Sequence, residues 1–452
     1  MDTQHEYKIK IDNWLKNNNT YSLLDLSSLK LTELNNLPTN LKKLNCSYNN
    51  LTELNNLPTN LTYLDCSNNN LTELNNLPTN LKYLDCRGNK IKKIILPLNL
   101  EVEHFFLNND VIIENLLELI NINSIDYDNF NKFYLENINK CFLKTSYPLN
   151  IKNINNWIDK LKTYDDYNLI NFGYSISKTL KHISFVEFYD NLCKLGYKLN
   201  ELLYNNKSFV YIYIPELKKS CLWVVLLIWK FINKNYNIFI VCNKKWFEFF
   251  NNELDFKIIY IDDCSYTGGQ IVDTLNFTYK IKINWKEKLF IFLSYVSNTA
   301  LNFIEQYNFP KPIFITNFPT YLDQLSQEEI KNYEYVIKNY PIYKNIKNNQ
   351  YICNIYFDYK LADFISVFQF LYAYGQLPDN KFSGTFITGC ENFYETNKYL
   401  YDKTEIDLQN IFKNICPNAF YKSIEYTINS LDVNNIYDIK RFKNYKFQDD
   451  YD

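Results

Sequence analysis

Histidine occurs three times in 452 residues, methionine once and glycine eight times. Each shortage excludes something. His5, His104 and His182 lie far apart in the chain, so a histidine-based metal centre or a histidine-activated nucleophile lacks its material. The eleven cysteines are scattered, an odd number with no CxxC pair, which fits reduced thiols and an intracellular, cytoplasmic protein (host cytoplasm, if the source is a virus). No secretory signal opens the chain, whose first residues are polar and mixed in charge. The longest apolar run, Cys221 to Trp229, is about half of the roughly 20 residues that a membrane-spanning helix needs, so a buried helix is expected and no membrane partner. No GxxxxGK[ST] phosphate loop is present. Forty-eight basic and 50 acidic side chains leave a formal charge of -2, which gives no general pull toward nucleic acid. Asparagine, isoleucine, lysine and tyrosine are abundant instead. That bias fits an AT-rich genome, such as those of large viruses or protists, and removes tyrosine frequency as a sign of nucleic-acid stacking.

What is present is enough apolar material, 46% of the chain, for two or three packed domains. The first third carries three copies of a 20-residue unit: "LTELNNLPTNLKKLNCSYNN", "LTELNNLPTNLTYLDCSNNN" and "LTELNNLPTNLKYLDCRGNK". Each runs into LxxLxCxxNx[LI], with Leu41, Leu44, Cys46, Asn49 and Leu51 from the first copy and Ile91 closing the third. This resembles the compact bacterial type of leucine-rich repeat. The resemblance implies a solenoid over residues 1–107, with a capping helix at 5–17, an inward column of Leu44, Cys46 and their counterparts, and asparagines that satisfy the bend. Its outward row, with Tyr63, Asp65, Tyr83, Asp85 and Arg87, is the expected surface for a protein partner; a rigid cap or spacer is the plainer alternative.

Residues 108–205 show helical spacing in "VIIENLLELI", "NNWIDKLKTY" and "FVEFYDNLCKLGYKLNELLY" and read as a helical connector. From 206 to 452 the pattern alternates. Apolar strands "SFVYIYI", "NIFIVCN", "KIIYI", "KLFIFLSYVS" and "PIFITN" are separated by helical stretches, which predicts an α/β domain with a mostly parallel sheet covered on both faces. A C-terminal extension of open role begins at about residue 321.

Within that alternation, "IIYIDDCSYTGGQI" runs a strand into two adjacent carboxylates and a Thr-Gly-Gly turn opening a helix. Carboxylates accept hydrogen bonds from vicinal hydroxyls, and glycine-rich backbone at a helix start suits phosphate. The stretch resembles the signature of type I phosphoribosyltransferases. The resemblance implies binding of phosphoribosyl pyrophosphate or a related ribose phosphate, with Mg²⁺ accompanying the pyrophosphate, Asp262 and Asp263 on the ribose hydroxyls, and Ser265, Tyr266, Thr267, Gly268, Gly269 and Gln270 around the 5-phosphate. Lys218 and Lys219, after the first core strand, would neutralise pyrophosphate or else simply open a helix in solvent. Two positions depart from the family pattern: Gln270 replaces a hydroxyl residue, and Tyr266 stands where purine-type members carry an acid. No catalytic residue is thereby assigned, and no metal ligand of the protein itself. The alternative from another class is a non-catalytic adaptor or nucleotide sensor built on a degenerate form of that fold.

Overall fold

The computed structural model describes most of residues 3–340, with breaks at 18–21, 101–103, 138–147, 205–207, 216–219, 233–235, 251–253 and 277–283 and at 99, 109 and 123; beyond 340 it describes 343, 355–357, 377–379, 383 and 386. The fold is mixed α/β with parallel sheets. Two compact units are resolved: one gathers residues 1–125 with 243–251, the other 126–242 with the described residues from 252 onward.

The first unit opens with helix α1 (Thr3–Lys16) and continues through short strands β1 (Leu23–Asp25), β2 (Lys43–Asn45), β3 (Tyr63–Asp65), β4 (Tyr83–Asp85), β5 (Lys93–Ile94), β6 (Phe105–Phe106) and β7 (Ile112–Ile113) to helix α2 (Leu116–Ile122). Strands β1, β2, β3, β4 and β6 line up in that order as one parallel sheet. The register advances by one repeat per strand, Leu24 beside Leu44 beside Leu64 beside Leu84. These leucines and Cys46, Cys66 and Cys86 are buried. The run "VIIENLLELI", expected as one helix, begins instead with β7, which pairs with β5; isoleucine at 112 and 113 favours the pleated ladder over a helical turn.

Bend asparagines hold successive coils together. Asn69 accepts from the Leu51 amide (3.0 Å) and donates to the carbonyls of Cys46 (3.0 Å) and Cys66 (3.1 Å). Asn49 and Asn89 make equivalent bonds one coil earlier and one later. The preceding bend residues are left-handed in every copy, Ser28, Tyr48, Asn68 and Gly88 all having positive φ, as have Asn36, Asn56 and Asn76 at the opposite turn. Asparagine tolerates that region better than most side chains. Here part of the asparagine enrichment has a conformational cause that composition alone hides.

The second unit contains α3 (Tyr127–Asn137), α4 (Ile151–Lys162), α5 (Tyr167–Thr179), β9 (Lys181–Ile183), α6 (Phe185–Leu203), β10 (Phe209–Tyr213), α7 (Ser220–Ile228), β11 (Ile238–Val241), β12 (Phe256–Ser265), α8 (Gly269–Leu275), α9 (Trp285–Lys288), β13 (Leu289–Ser297), α10 (Asn298–Gln306), β14 (Ile313–Phe318), α11 (Gln327–Asn339) and β15 (Ile355–Phe357). The main sheet follows the order β14, β13, β12, β10, β11 and the short β8 (Ile125–Asp126), and the four pairings from β14 to β11 are parallel. Burial on both faces explains the unbroken apolar runs: Ile258, Ile259, Tyr260 and Ile261 are all buried in β12. Ser184 caps α6 through the Glu187 amide at 3.2 Å, and Ser326 with Glu329 forms a reciprocal capping box on α11.

The strand order has a functional geometry. From β10 the chain moves to β11 on one side, then returns to β12 on the other and continues outward to β13 and β14. Connections therefore diverge at the carboxyl ends of β10 and β12, the place where parallel open sheets carry their ligand crevice.

Candidate functional site

Asp262 and Asp263 lie on β12 at that switch point, but the strand does not stop at them. It runs on through Ser265, with Asp262 paired to Leu293, Cys264 to Tyr295 and Ser265 to Val296. The two carboxylates are 3% and 0% exposed, so the strand end expected at Ile261 is an interior stretch of sheet. Strand alternation puts them on opposite faces. Asp262 accepts from the Tyr260 hydroxyl (2.8 Å) and from the Asp263 amide (2.9 Å), and Asp263 accepts from the Cys264 amide (2.6 Å). These donors explain how ladder geometry persists through two acids. Burial, then the adjacent Asp262 carboxylate, pushes the Tyr260 phenol well above its ordinary range, so it remains a hydrogen-bond donor.

Past the strand, Ser265 and Tyr266 are buried, Thr267 and Gly269 are half-buried and Gln270 is exposed. Ser297 donates its hydroxyl to the Tyr266 carbonyl and accepts from the Ala300 amide at 2.9 Å, which ties the turn to the start of α10. The two glycines differ in what holds them. Gly268 has φ +82°, and a Cβ there would stand 3.0 Å from the Ala300 carbonyl and 3.2 Å from Phe303. Backbone conformation and packing on α10 thus account for it with no ligand. Gly269 has no such reason: a Cβ would meet only the Thr267 hydroxyl, at an ordinary 3.5 Å, and glycine in a helical turn costs about 1 kcal/mol relative to alanine.

One polar group escaped the sequence reading. Ser294 lies between the paired Leu293 and Tyr295 on β13, hence opposite Asp263 and on the same face of the sheet. It is fully buried, and its hydroxyl has no hydrogen-bond partner among the described residues. Serine in the middle of the apolar strand "LFIFLSYVS" was the available signal. Lys218 and Lys219 lie outside the described residues.

On the repeat sheet, the candidate protein-binding residues are brought together. Tyr63 and Tyr83 stack with ring centroids 4.2 Å apart and planes 8° from parallel. Phe106 adjoins Tyr83 at 5.6 Å, and the Arg87 guanidinium lies 4.9 Å over the Phe106 ring. Arg87 also forks onto Asp85, Nε to Oδ1 at 3.0 Å and a terminal nitrogen to Oδ2 at 2.5 Å. Asp65 instead receives the Ser67 amide (3.0 Å) and hydroxyl (2.7 Å), both on Oδ1. Burial, followed by the neighbouring Tyr83 and the carboxylates of Asp65 and Asp85, raises the Tyr63 phenol to about 12.

No protein-family model matches the chain, and no curated protein matches it. Among solved structures it is similar to the leucine-rich-repeat domain of a Shigella effector, at 30% identity over 23% of this chain and 54% of that one, with a TM-score of 0.19. The chain thus spans about half the length of that domain. Among the described residues no helix is long and apolar enough to cross a membrane.

Proposed function

We propose that the second unit is a phosphoribosyltransferase-like domain that binds phosphoribosyl pyrophosphate or a related ribose phosphate, and that the first is a leucine-rich-repeat module that docks a protein. The observation that carries the first part is the strand order, which sets Asp262, Asp263 and the Thr-Gly-Gly turn at the divergence of β10 and β12. Two local facts support it. Gly269 leaves space where a Cβ would fit, its amide reaching only the Thr267 hydroxyl at a long 3.3 Å, and the buried Ser294 hydroxyl beside Asp263 lacks, among the described residues, a partner that a sugar hydroxyl would supply. In this reading Asp263 takes a ribose hydroxyl on its face of the sheet and residues 265–270 the phosphate, while Asp262, on the other face, supports the site through the Tyr260 hydroxyl. No group of three or more His, Cys, Asp or Glu side chains with metal-site geometry occurs among the described residues, so Mg²⁺ would be held chiefly by the pyrophosphate oxygens.

Titration calorimetry of the full chain with phosphoribosyl pyrophosphate and Mg²⁺ tests this. Binding should be saturable and should fall at least about tenfold in Asp263→Asn, the loss expected when one charged hydrogen-bond partner is weakened. Absence of heat, or unchanged affinity in Asp262→Asn and Asp263→Asn, overturns it.

A second reading, the adaptor with a ligand-free scaffold, is favoured by the near-complete burial of both carboxylates and by the packing of Gly268 on α10. It expects no ribose-phosphate binding and an unimpaired repeat face.

A further inference from the structure

The strand-end aspartates of the repeat sheet, and the asparagine in their row, have a shared backbone task. Asp25, Asn45, Asp65 and Asp85 each accept, through Oδ1, the amide two residues on, at 3.0, 3.0, 3.0 and 3.1 Å. An uncharged asparagine does this as well as an aspartate, so the turn does not explain the charge at the other three positions. At Asp85 the charge has an evident use, since Arg87 forks onto it while covering Phe106. At Asp25 and Asp65 the residue two places on is serine, too short to place a cation on the second oxygen. The Asp65 Oδ2 has no hydrogen-bond or ion-pair partner among the described residues, whereas Asp25 also takes the Ser27 side chain and lies in the field of Lys10 on α1. Asp65 also borders the Tyr63 and Tyr83 stack.

We propose that this face binds a basic protein segment, one arginine or lysine on Asp65 against the tyrosine pair and a second on Asp25, in the manner that Arg87 occupies Asp85 and Phe106. The inference rests on the reading of the repeat sheet as a protein-docking surface, and adds the partner's chemistry. Asp25 and Asp65 are two strands apart, which at a spacing of about 4.8 Å is roughly 10 Å. An extended polyproline-II segment, rising about 3.1 Å per residue, spans that distance in three residues with both side chains on one side. The favoured ligand therefore carries cations at i and i+3. Lys43 on the intervening strand and Lys10 on α1, which already acts on Asp25, oppose them, so their charges set a limit on affinity.

Fluorescence anisotropy on the full chain would use three labelled peptides of equal length: arginines at i and i+3 in a proline-rich background, glutamates at the same positions, and leucines there. The arginine peptide should bind best. Asp65→Asn and Asp25→Asn should each weaken it about three- to tenfold, the range of a partly exposed ion pair with an aromatic neighbour, and Lys43→Glu should strengthen it. Asp65→Asn keeps the turn acceptor, as Asn45 does in the preceding coil, so unchanged circular dichroism is expected. Preference for the glutamate or leucine peptide, with dependence on Tyr63, would leave the docking face standing and overturn the cationic assignment. Arginine-peptide binding indifferent to Asp65 and Asp25 would also overturn it, and no binding of any peptide would remove both.

Discussion

Replacing Asn69 by alanine should unfasten the repeat unit, and the size of the effect follows from the bonds it breaks. Asn69 is buried, and its oxygen takes the Leu51 amide while its nitrogen serves Cys46 and Cys66. The Leu51 amide would be left buried and unpaired, a cost of about 1–3 kcal/mol. The carbonyls of Cys46 and Cys66 would keep Asn49 and Asn89 respectively, so each loses one of two bonds, worth about 0.5–1.5 kcal/mol. The sum is about 2–6 kcal/mol, a large part of the roughly 5–15 kcal/mol that keeps a domain folded. Hydrogen exchange read by mass spectrometry across residues 41–90, with urea unfolding followed by circular dichroism, measures it. Asn70→Ala, whose side chain makes no hydrogen bond among the described residues, should stay within about 0.5 kcal/mol of the parent. A loss below about 1 kcal/mol for Asn69→Ala would refute the bookkeeping of buried partners.

The thiols of Cys46, Cys66 and Cys86 should resist an aromatic disulfide reagent at pH 8 in the folded chain and react in urea, because burial pushes all three up, Cys86 to about 12; rapid labelling of the native protein would contradict their placement. Tyr63, raised to about 12, stays neutral where an unfolded tyrosine, near 10, ionises. Its contribution is therefore complete below pH 10 and is lost as pH rises toward 12, so Tyr63→Phe should blunt alkaline destabilisation in that window, seen in urea midpoints against pH. Gly268→Ala should cost about 1–3 kcal/mol from its left-handed backbone and the α10 contact, whereas Gly269→Ala should be neutral or stabilising by up to about 1 kcal/mol, judged by thermal midpoints. If Gly269→Ala leaves phosphoribosyl pyrophosphate binding intact, Gly269 has no part in a phosphate cradle.

Much of the secondary structure was legible because two different periods mark it. The 20-residue repeat marked the centres of β2, β3 and β4, since Leu44, Leu64 and Leu84 recur with the strand, although each strand ends before the cysteine that the inward column included. Apolar runs located β10, β11, β13 and β14 to within a residue or two. The course of β12 was not legible. Aspartates at 262 and 263 read as a strand end, and only the third dimension supplies the Tyr260 hydroxyl and the β13 partners that let the ladder continue through them. Ser294 went unnoticed for a similar reason: its meaning comes from the residue opposite it on the next strand. The two glycines, equivalent on paper, separate only when the space before each is known.

Each bend asparagine bonds to its own coil and to the one before it, so the array can be cut and rejoined without loose ends only at multiples of twenty residues. Gain or loss of a whole copy by unequal recombination between the near-identical segments would leave every seam matched, whereas a ten-residue slip would misplace the entire spine. A lineage could thus lengthen or shorten this ribbon in discrete steps, and with it the number of tyrosines displayed in file, while the rest of the polypeptide stayed untouched.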